Sequence, residues 1–297
     1  MSDPSTDTAQ RARDLAQEIR AGLARLERES ADLGARLAQL ETLLSSKPVS
    51  GASQDAEALR AELDTATDRF ARLNSLMVHE IRKPMTSIRG YADMLAKPGM
   101  IGPLNEMQQQ FVGVIRNNVL AMESLVTNIS DLSKLTTGRI RLEAKMTTVS
   151  QVMIEVQKQA EALNAEFQHT LTLDAPSGMP VLNVDIGALA KVMQHLVRNA
   201  MMYTPKGGQI TISAERLEDN HVRLAVHDTG IGMTPEVMSH LGEPFYRGDH
   251  ELVTSQKGYG LGIPVAMGFL KLMDSTLTYE SVPEQGSTFS FVIAGMG

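Results

Sequence analysis

The chain of 297 residues contains no cysteine. That excludes a disulfide framework, thiol chemistry and cysteine-ligated zinc, and it suits a reducing compartment. Positive charge is also in short supply, with 28 Lys and Arg against 35 Asp and Glu and a formal net charge of -7. Such a balance leaves no basic stripe to follow a phosphate backbone, so a general nucleic-acid binder is excluded. Long apolar runs are missing as well. No stretch approaches the roughly 20 apolar residues that span a bilayer, and the opening residues MSDPSTDTAQRARD lack the apolar centre of a signal peptide. The expectation is a soluble, cytoplasmic chain with no membrane span in it. Internal repeats and low-complexity tracts are absent, and the length fits two modest domains, or one with a helical extension.

What is present begins with a heptad. Ile19, Leu26, Leu33 and Leu40 recur every seven residues, with Leu23, Leu37 and Leu44 at the complementary spacing and Ser30 as the polar lapse. So narrow a seam predicts a coiled coil, and with it a dimer. Pro48 and Gly51 then read as a hinge. A helix resumes near Asp55 and runs to about Leu95, with Leu59, Leu63, Phe70, Leu73 and Met77 on one face. After the loop AKPGMIGPLNE, a further helix is expected from Asn105 to Leu135. Phe111, Ile115, Val119, Met122, Leu125, Ile129 and Leu132 follow its 3-and-4 spacing. Two long helices joined by a short loop form an antiparallel hairpin, too thin to stand alone, so two copies make a dimeric four-helix bundle.

Beyond TTGRIRLEA the pattern changes to short strands, HTLTLDA, GQITISAER, HVRLAVHD and GSTFSFVI, with IGALAKVMQHLVRNAMMY as a helix among them. The expected fold class is therefore α plus α/β. It comprises a coiled coil and hinge over 1–54, a helical hairpin over 55–138 and an α/β sandwich over 139–297.

Four segments carry chemistry. SLMVHEIRKPMTS places His79, Glu80 and Pro84 inside a long helix, although an interior proline costs about 3 kcal/mol. VHDTGIGMTPE sets the carboxylate of Asp228 at the end of a strand, before Gly230 and Gly232, where it can accept from an exocyclic amine. SQKGYGLGIPVAMGFLKLM brings Gly258, Gly260 and Gly262 to a helix start, which suits phosphate oxygens. No βαβ unit surrounds it, so a dinucleotide fold is excluded. KVMQHLVRNAMMYTPKGG puts His195 and Asn199 one turn apart, and the Asn199 carbonyl is a suitable hard ligand for Mg²⁺.

The order HEIRKP, LVRNA, DTGIGM, EPFYR, GYGLG resembles the H, N, first glycine, F and second glycine boxes of two-component sensor histidine kinases. The likeness runs from about residue 60 to the C-terminus. It implies a dimerisation and phosphotransfer hairpin followed by the ATP-binding domain shared with gyrase and MutL. By that resemblance, His79 accepts the γ-phosphoryl group of ATP, Glu80 is its general base, Asp228 binds adenine and Asn199 holds Mg²⁺. Tyr203, Gly230, Gly232, Phe245, Arg247, Gly258, Gly260, Leu261 and Gly262 complete the nucleotide site, with a moving lid between Phe245 and Gly262. It also implies a homodimer, and a response-regulator receiver domain as partner. Pro84 leaves the Glu80 carbonyl without its helical donor, so the helix is expected to bend one turn beyond the histidine.

Three residues depart from the family pattern. Lys83 stands where Thr or Asn usually orients a water for dephosphorylating the partner. Lysine has no acceptor, so weak phosphatase activity is expected. His195 takes the place of the first asparagine of the N box, and Met202 that of a commonly basic residue near the phosphates. These departures keep a second reading open, a degenerate nucleotide-binding scaffold that signals by binding a regulator or kinase. A third is an ATPase without a histidine acceptor.

Overall fold

The computed structural model describes residues 52–97, 99, 102–256 and 258–296. The predicted coiled coil and its hinge lie outside the described residues, as do the side chains of Leu59, Leu63, Phe70 and Leu73. The chain divides into two units, Met1–Asp64 and Thr65–Gly297. All candidate site residues belong to the second.

Helix α1 (Ala52–Leu95) carries Pro84 in its interior and remains helical through it. Its backbone ladder is nevertheless perturbed just beyond His79. Pro84 has no N–H for the Glu80 carbonyl. The Thr86 hydroxyl donates to the Arg82 carbonyl at 2.9 Å and Ser87 Oγ to that of Lys83 at 3.3 Å, a back-bonding that favours helix bending. Helix α2 (Glu106–Thr136) starts on a capping box. Asn105 Oδ1 accepts from the Gln108 N–H at 2.9 Å, and Gln108 Oε1 from the Asn105 N–H at 3.0 Å.

The two helices meet along a seam seven residues in period. Val78, Met85 and Ala92 are buried on α1, and Val112, Val119 and Val126 on α2. Arg89 pairs with Glu123 at 2.7 Å and Arg116 with Asp93 at 2.8 Å beside it. The rest of the apolar face predicted for α2 lies open in the single chain. Phe111, Ile115 and Met122 are exposed, at 60%, 42% and 47%. The apolar pattern of α2 is wider than one neighbour can cover, and α1 covers only the valine row.

The rest of the chain builds a layered α/β domain. Strand β1 (Lys145–Thr148) leads into helix α3 (Val149–Phe167), which Thr148 and Gln151 cap reciprocally. Strands β2 (Thr170–Asp174) and β3 (Val181–Val184) precede helix α4 (Ile186–Tyr203), whose N-cap is Asp185. Then come β4 (Gln209–Arg216), β5 (Val222–Asp228), the short helices α5 (Pro235–Ser239) and α6 (Glu251–Ser255), and α7 (Gly262–Leu272). Strands β6 (Thr278–Val282), β7 (Gly286–Ile293) and β8 (Gly295–Met296) close the chain.

Five strands form a mixed sheet in the order β2-β4-β5-β7-β6, with β2 parallel to β4 and the other neighbours antiparallel. A separate three-stranded sheet has the order β1-β3-β8. Along the large sheet every second residue turns inward: Ile210, Ile212 and Ala214, then Val222, Leu224 and Val226, then Phe289, Phe291 and Ile293. They share one core with Val152 and Val156 of α3, Leu189, Met193 and Leu196 of α4, and Val265, Phe269 and Leu270 of α7. One sheet face thus carries the helices. Leu132 and Leu135 of α2 pack against the same core.

Candidate functional site

A cavity of about 430 Å³ opens beside α4, a size that holds a nucleotide-sized ligand. Its walls bring together Asn199, Tyr203, Asp228, Gly232, Gly258, Gly260, Leu261 and Gly262. These are most of the residues that the sequence picks out for nucleotide binding, gathered from three separate segments of the chain.

Asp228 ends β5 and is 4% exposed. Burial raises its pKa, and the backbone N–H groups of Gly230 and Ser287 that donate to it offset part of that rise. The Gly230 N–H reaches Asp228 Oδ1 at 2.8 Å. A buried carboxylate at a pocket wall, held by backbone donors, keeps acceptor capacity for one more donor. Gly230 therefore acts from behind the wall. Gly232 has φ +61, and a Cβ there would stand 2.0 Å from the Val282 carbonyl oxygen, so no other residue fits this turn. The Ile231 N–H donates to the Tyr203 carbonyl at 3.0 Å, tying the turn to the end of α4.

Asn199 and His195 lie on α4, opposite the start of α7. A Cβ on Gly262 would come 3.4 Å from His195 Nδ1 and 3.9 Å from Asn199 Oδ1. Glycine thus lets the start of α7 approach them closely. The residue before it, Leu261, gives α7 no side-chain cap, whereas Asn105, Thr148, Asp185 and Thr234 cap their helices. The first N–H groups of α7 are left for another acceptor. His195 is half-buried, and burial lowers its pKa to about 4, against a raising effect from Asp131. It is neutral at pH 7. Burial likewise raises the pKa of Tyr203.

Arg247 and Phe245 behave differently from the other candidates. The Arg247 guanidinium donates to the carbonyls of Gly258 and Gln256, each at 2.9 Å, and to that of Val253. It clasps the loop leading to the second glycine box and does not form part of the pocket wall. Phe245 is 63% exposed with φ +68, and its N–H donates to the Gly260 carbonyl at 3.1 Å. A bulky residue in the left-handed region is strained. Together, the Phe245 N–H and the Arg247 guanidinium tie this segment to the loop of the second glycine box.

His79 and Glu80 do not line the cavity. Both are exposed on α1, with Glu80 Oε1 2.7 Å from Lys83 Nζ. The hydrogen bond and charge of Lys83 hold the Glu80 carboxyl below its usual range, with a smaller contribution from His79.

Other wall residues escape the sequence reading. Glu123, Asn128 and Asp131 of α2, with Lys191 and Arg198 of α4, also line the cavity. Asp131 Oδ2 is 2.8 Å from Lys191 Nζ, which stands 5.2 Å from the centre of the Phe269 ring. Their one legible signal is that Lys191, His195, Arg198 and Met202 recur at helical spacing.

Among the described residues no three His, Asp or Glu side chains gather as a metal site. A divalent ion here would rest on Asn199 Oδ1, ligand phosphates and water, a donor set that fits Mg²⁺. No described helix is long and apolar enough to cross a membrane.

Residues 70–138 match the family described as His Kinase A (phospho-acceptor) domain, and residues 184–294 the family of histidine kinase-, DNA gyrase B- and HSP90-like ATPases. The chain is 31% identical over 218 residues to the phosphate regulon sensor protein PhoR of Pseudomonas aeruginosa, covering 71% of this chain and 47% of that protein. It is 30% identical over 241 residues to the histidine protein kinase DivJ of Caulobacter vibrioides, covering 80% and 38%. The chain thus spans less than half the length of these relatives. Its fold is similar to that of full-length ShkA in complex with AMPPNP, with a TM-score of 0.61 and 22% identity over 76% of this chain and 46% of that one. Acinetobacter baumannii histidine kinase AdeS gives a TM-score of 0.51 at 21% identity, covering 74% and 98%.

Proposed function

The chain belongs to the histidine kinase family, and from that premise we propose that it phosphorylates His79 with Mg-ATP and passes the phosphoryl group to an aspartate of a response-regulator receiver domain. One observation carries the reading. A buried Asp228, Asn199 and the uncapped start of α7 share one cavity, in the same chain as an exposed His-Glu pair on a helical hairpin.

The geometry supports the following roles. Asp228 accepts from the exocyclic amine of adenine. The free N–H groups of α7 take phosphate oxygens, and Asn199 is the residue to hold Mg²⁺, which neutralises phosphate charge when bound. A nitrogen of the His79 ring attacks the γ-phosphorus and the bond to the β–γ bridging oxygen breaks, releasing ADP. Glu80 takes the proton from the other ring nitrogen. Since His79 does not line the cavity, the ATP-binding domain must swing to it, or receive the histidine of a second copy. The perturbed helix between Glu80 and Ser87 is the place for α1 to bend.

The second copy is itself part of the reading. Tyr91, Phe111 and Ile115 leave apolar surface open on the hairpin, and two hairpins closing those faces make a four-helix bundle. Dependence on ATP assigns this part of the protein to the cytoplasm.

The test is incubation with γ-labelled Mg-ATP, wild type beside His79→Gln, followed by acid and base washes. Acid-labile, base-stable label lost in the variant is the expected result. Absence of label in a protein that binds ATP would favour the scaffold, and turnover that survives His79→Gln would favour a plain ATPase.

A further inference from the structure

The nucleotide cavity has few cations free to meet a triphosphate. Lys191 is engaged by Asp131 at 2.8 Å, and Arg247 spends its guanidinium nitrogens Nη1 and Nη2 on loop carbonyls. His240 pairs with Glu243 at 3.0 Å. At Met202, where the resemblance calls for a basic residue, there is a thioether. Arg198 stands apart from all of these. It lines the cavity half-buried and, among the described residues, makes no hydrogen bond or ion pair.

Its position is suited to an anion. On α4, Arg198 lies one turn before Met202, on the same face, and is next in sequence to Asn199. It lines the same cavity as His195 and Tyr203 on the same helix, and its charge bears on both. The start of α7, with unclaimed N–H groups, abuts that wall at His195 and Asn199. An unpaired guanidinium beside uncapped amides is an anion-binding arrangement, and guanidinium offers a planar fork that phosphate oxygens can accept from twice.

We propose that Arg198 is the phosphate-binding cation of this site, taking over on the preceding turn of α4 the charge that Met202 does not supply. This rests on the ATP-binding reading above and adds to it a residue that sets selectivity for the polyphosphate over the nucleoside. Lys191, held by Asp131, is a reserve and not the primary contact.

The test compares the binding of Mg-ATP and of adenosine by titration calorimetry to the full chain, as wild type, Arg198→Gln and Arg198→Lys, with a thermal melt of each. The loss of a charged hydrogen bond is expected to weaken Mg-ATP about 10-fold or more in Arg198→Gln while adenosine binds as before. Arg198→Lys, which keeps the charge and loses the fork, should recover part of the Mg-ATP affinity. Equal weakening of both ligands, or unchanged Mg-ATP affinity in Arg198→Gln, would overturn the assignment. A wild type that binds neither ligand would instead overturn the ATP-binding reading on which it stands.

Discussion

The hairpin and the α/β domain solve the same burial problem to different depths. In the domain, three helices and one sheet face close over a core in which Leu189, Met193, Leu196, Ile210 and Leu224 have no exposure. In the hairpin, a single row of residues from each helix is covered, and Tyr91 and Phe111 remain 65% and 60% exposed. The two candidate sites follow this division. Asp228 and His195 sit where burial sets their ionisation, whereas Glu80 sits on an exposed face where a neighbouring charge sets it. The domain surrounds its cavity with a closed core, and the hairpin leaves apolar side chains and the His-Glu pair at its surface.

The largest test of that contrast pairs one substitution from each region. Leu196→Ala empties a fully buried site in the domain, and the expected cost is about 2 to 5 kcal/mol of unfolding free energy. Phe111→Glu adds charge to an open face and should leave the unfolding of the α/β domain within about 0.5 kcal/mol of wild type. Its effect belongs to assembly, so light scattering should report a dimer for wild type and a monomer for the variant. A Phe111→Glu protein that stays dimeric would break the comparison, because the exposed row would then not be the interface.

How far this division was readable in the sequence depends on what each element packs against. Helix α4 and strands β4, β5 and β7 match their predicted spans almost to the residue. Their apolar periods are strong and both ends are marked by Asp185 or by glycine and charged residues. The helix α3 was legible in principle, through the Thr148 and Gln151 capping box followed by Val149, Val152, Met153 and Val156. It was obscured by its polar residues and by the short β1 that feeds it. The strand β8, of two residues, has too little sequence to carry a period at all. On α2 the period marks an apolar face, but a period does not say which neighbour covers it. The cavity shows the same limit. Glycine boxes and Asp228 announce themselves by residue type and order, while Asp131 and Lys191 meet across 60 residues of chain, a pairing that spacing cannot reveal.

An intermediate effect is expected from pH, and it belongs to the domain. His195 in the folded state has its pKa pushed down to about 4 by burial, below the ordinary value near 6.5 that it regains on unfolding. Between those values the unfolded chain binds the extra proton, so stability rises with pH through that window and is lost as pH falls through it. The contribution is on the order of 2 kcal/mol lost between pH 7 and pH 5. Denaturant titrations at pH 7, 6 and 5 should show a steeper loss for wild type than for His195→Asn, and parallel curves would remove burial as the cause. Because Asp131 partly counteracts the shift, Asp131→Asn should leave the slope between pH 7 and pH 5 as it is and carry the loss to lower pH, below about pH 4. That result would show the hairpin residue tuning the domain site from across the cavity wall.

The smallest effect is expected at Lys83, in the exposed hairpin. Its hydrogen bond and charge hold Glu80 below the usual carboxylate range, and a general base works only when deprotonated. In Lys83→Thr, Glu80 loses that partner and its pKa rises, so the acidic limb of the autophosphorylation profile should move to higher pH. Both side chains are well exposed, at 59% and 65%, so salt should screen the pair. Wild type at high ionic strength should approach the variant, while the depth-set behaviour of His195 should respond to salt far less. Threonine also restores a hydroxyl that can accept a hydrogen bond from water, so the variant should dephosphorylate its partner regulator faster than wild type does. A profile that ignores both the substitution and the salt would mean that Glu80 is not the base, and that the exposed hairpin takes its chemistry from a group brought to it by the moving domain.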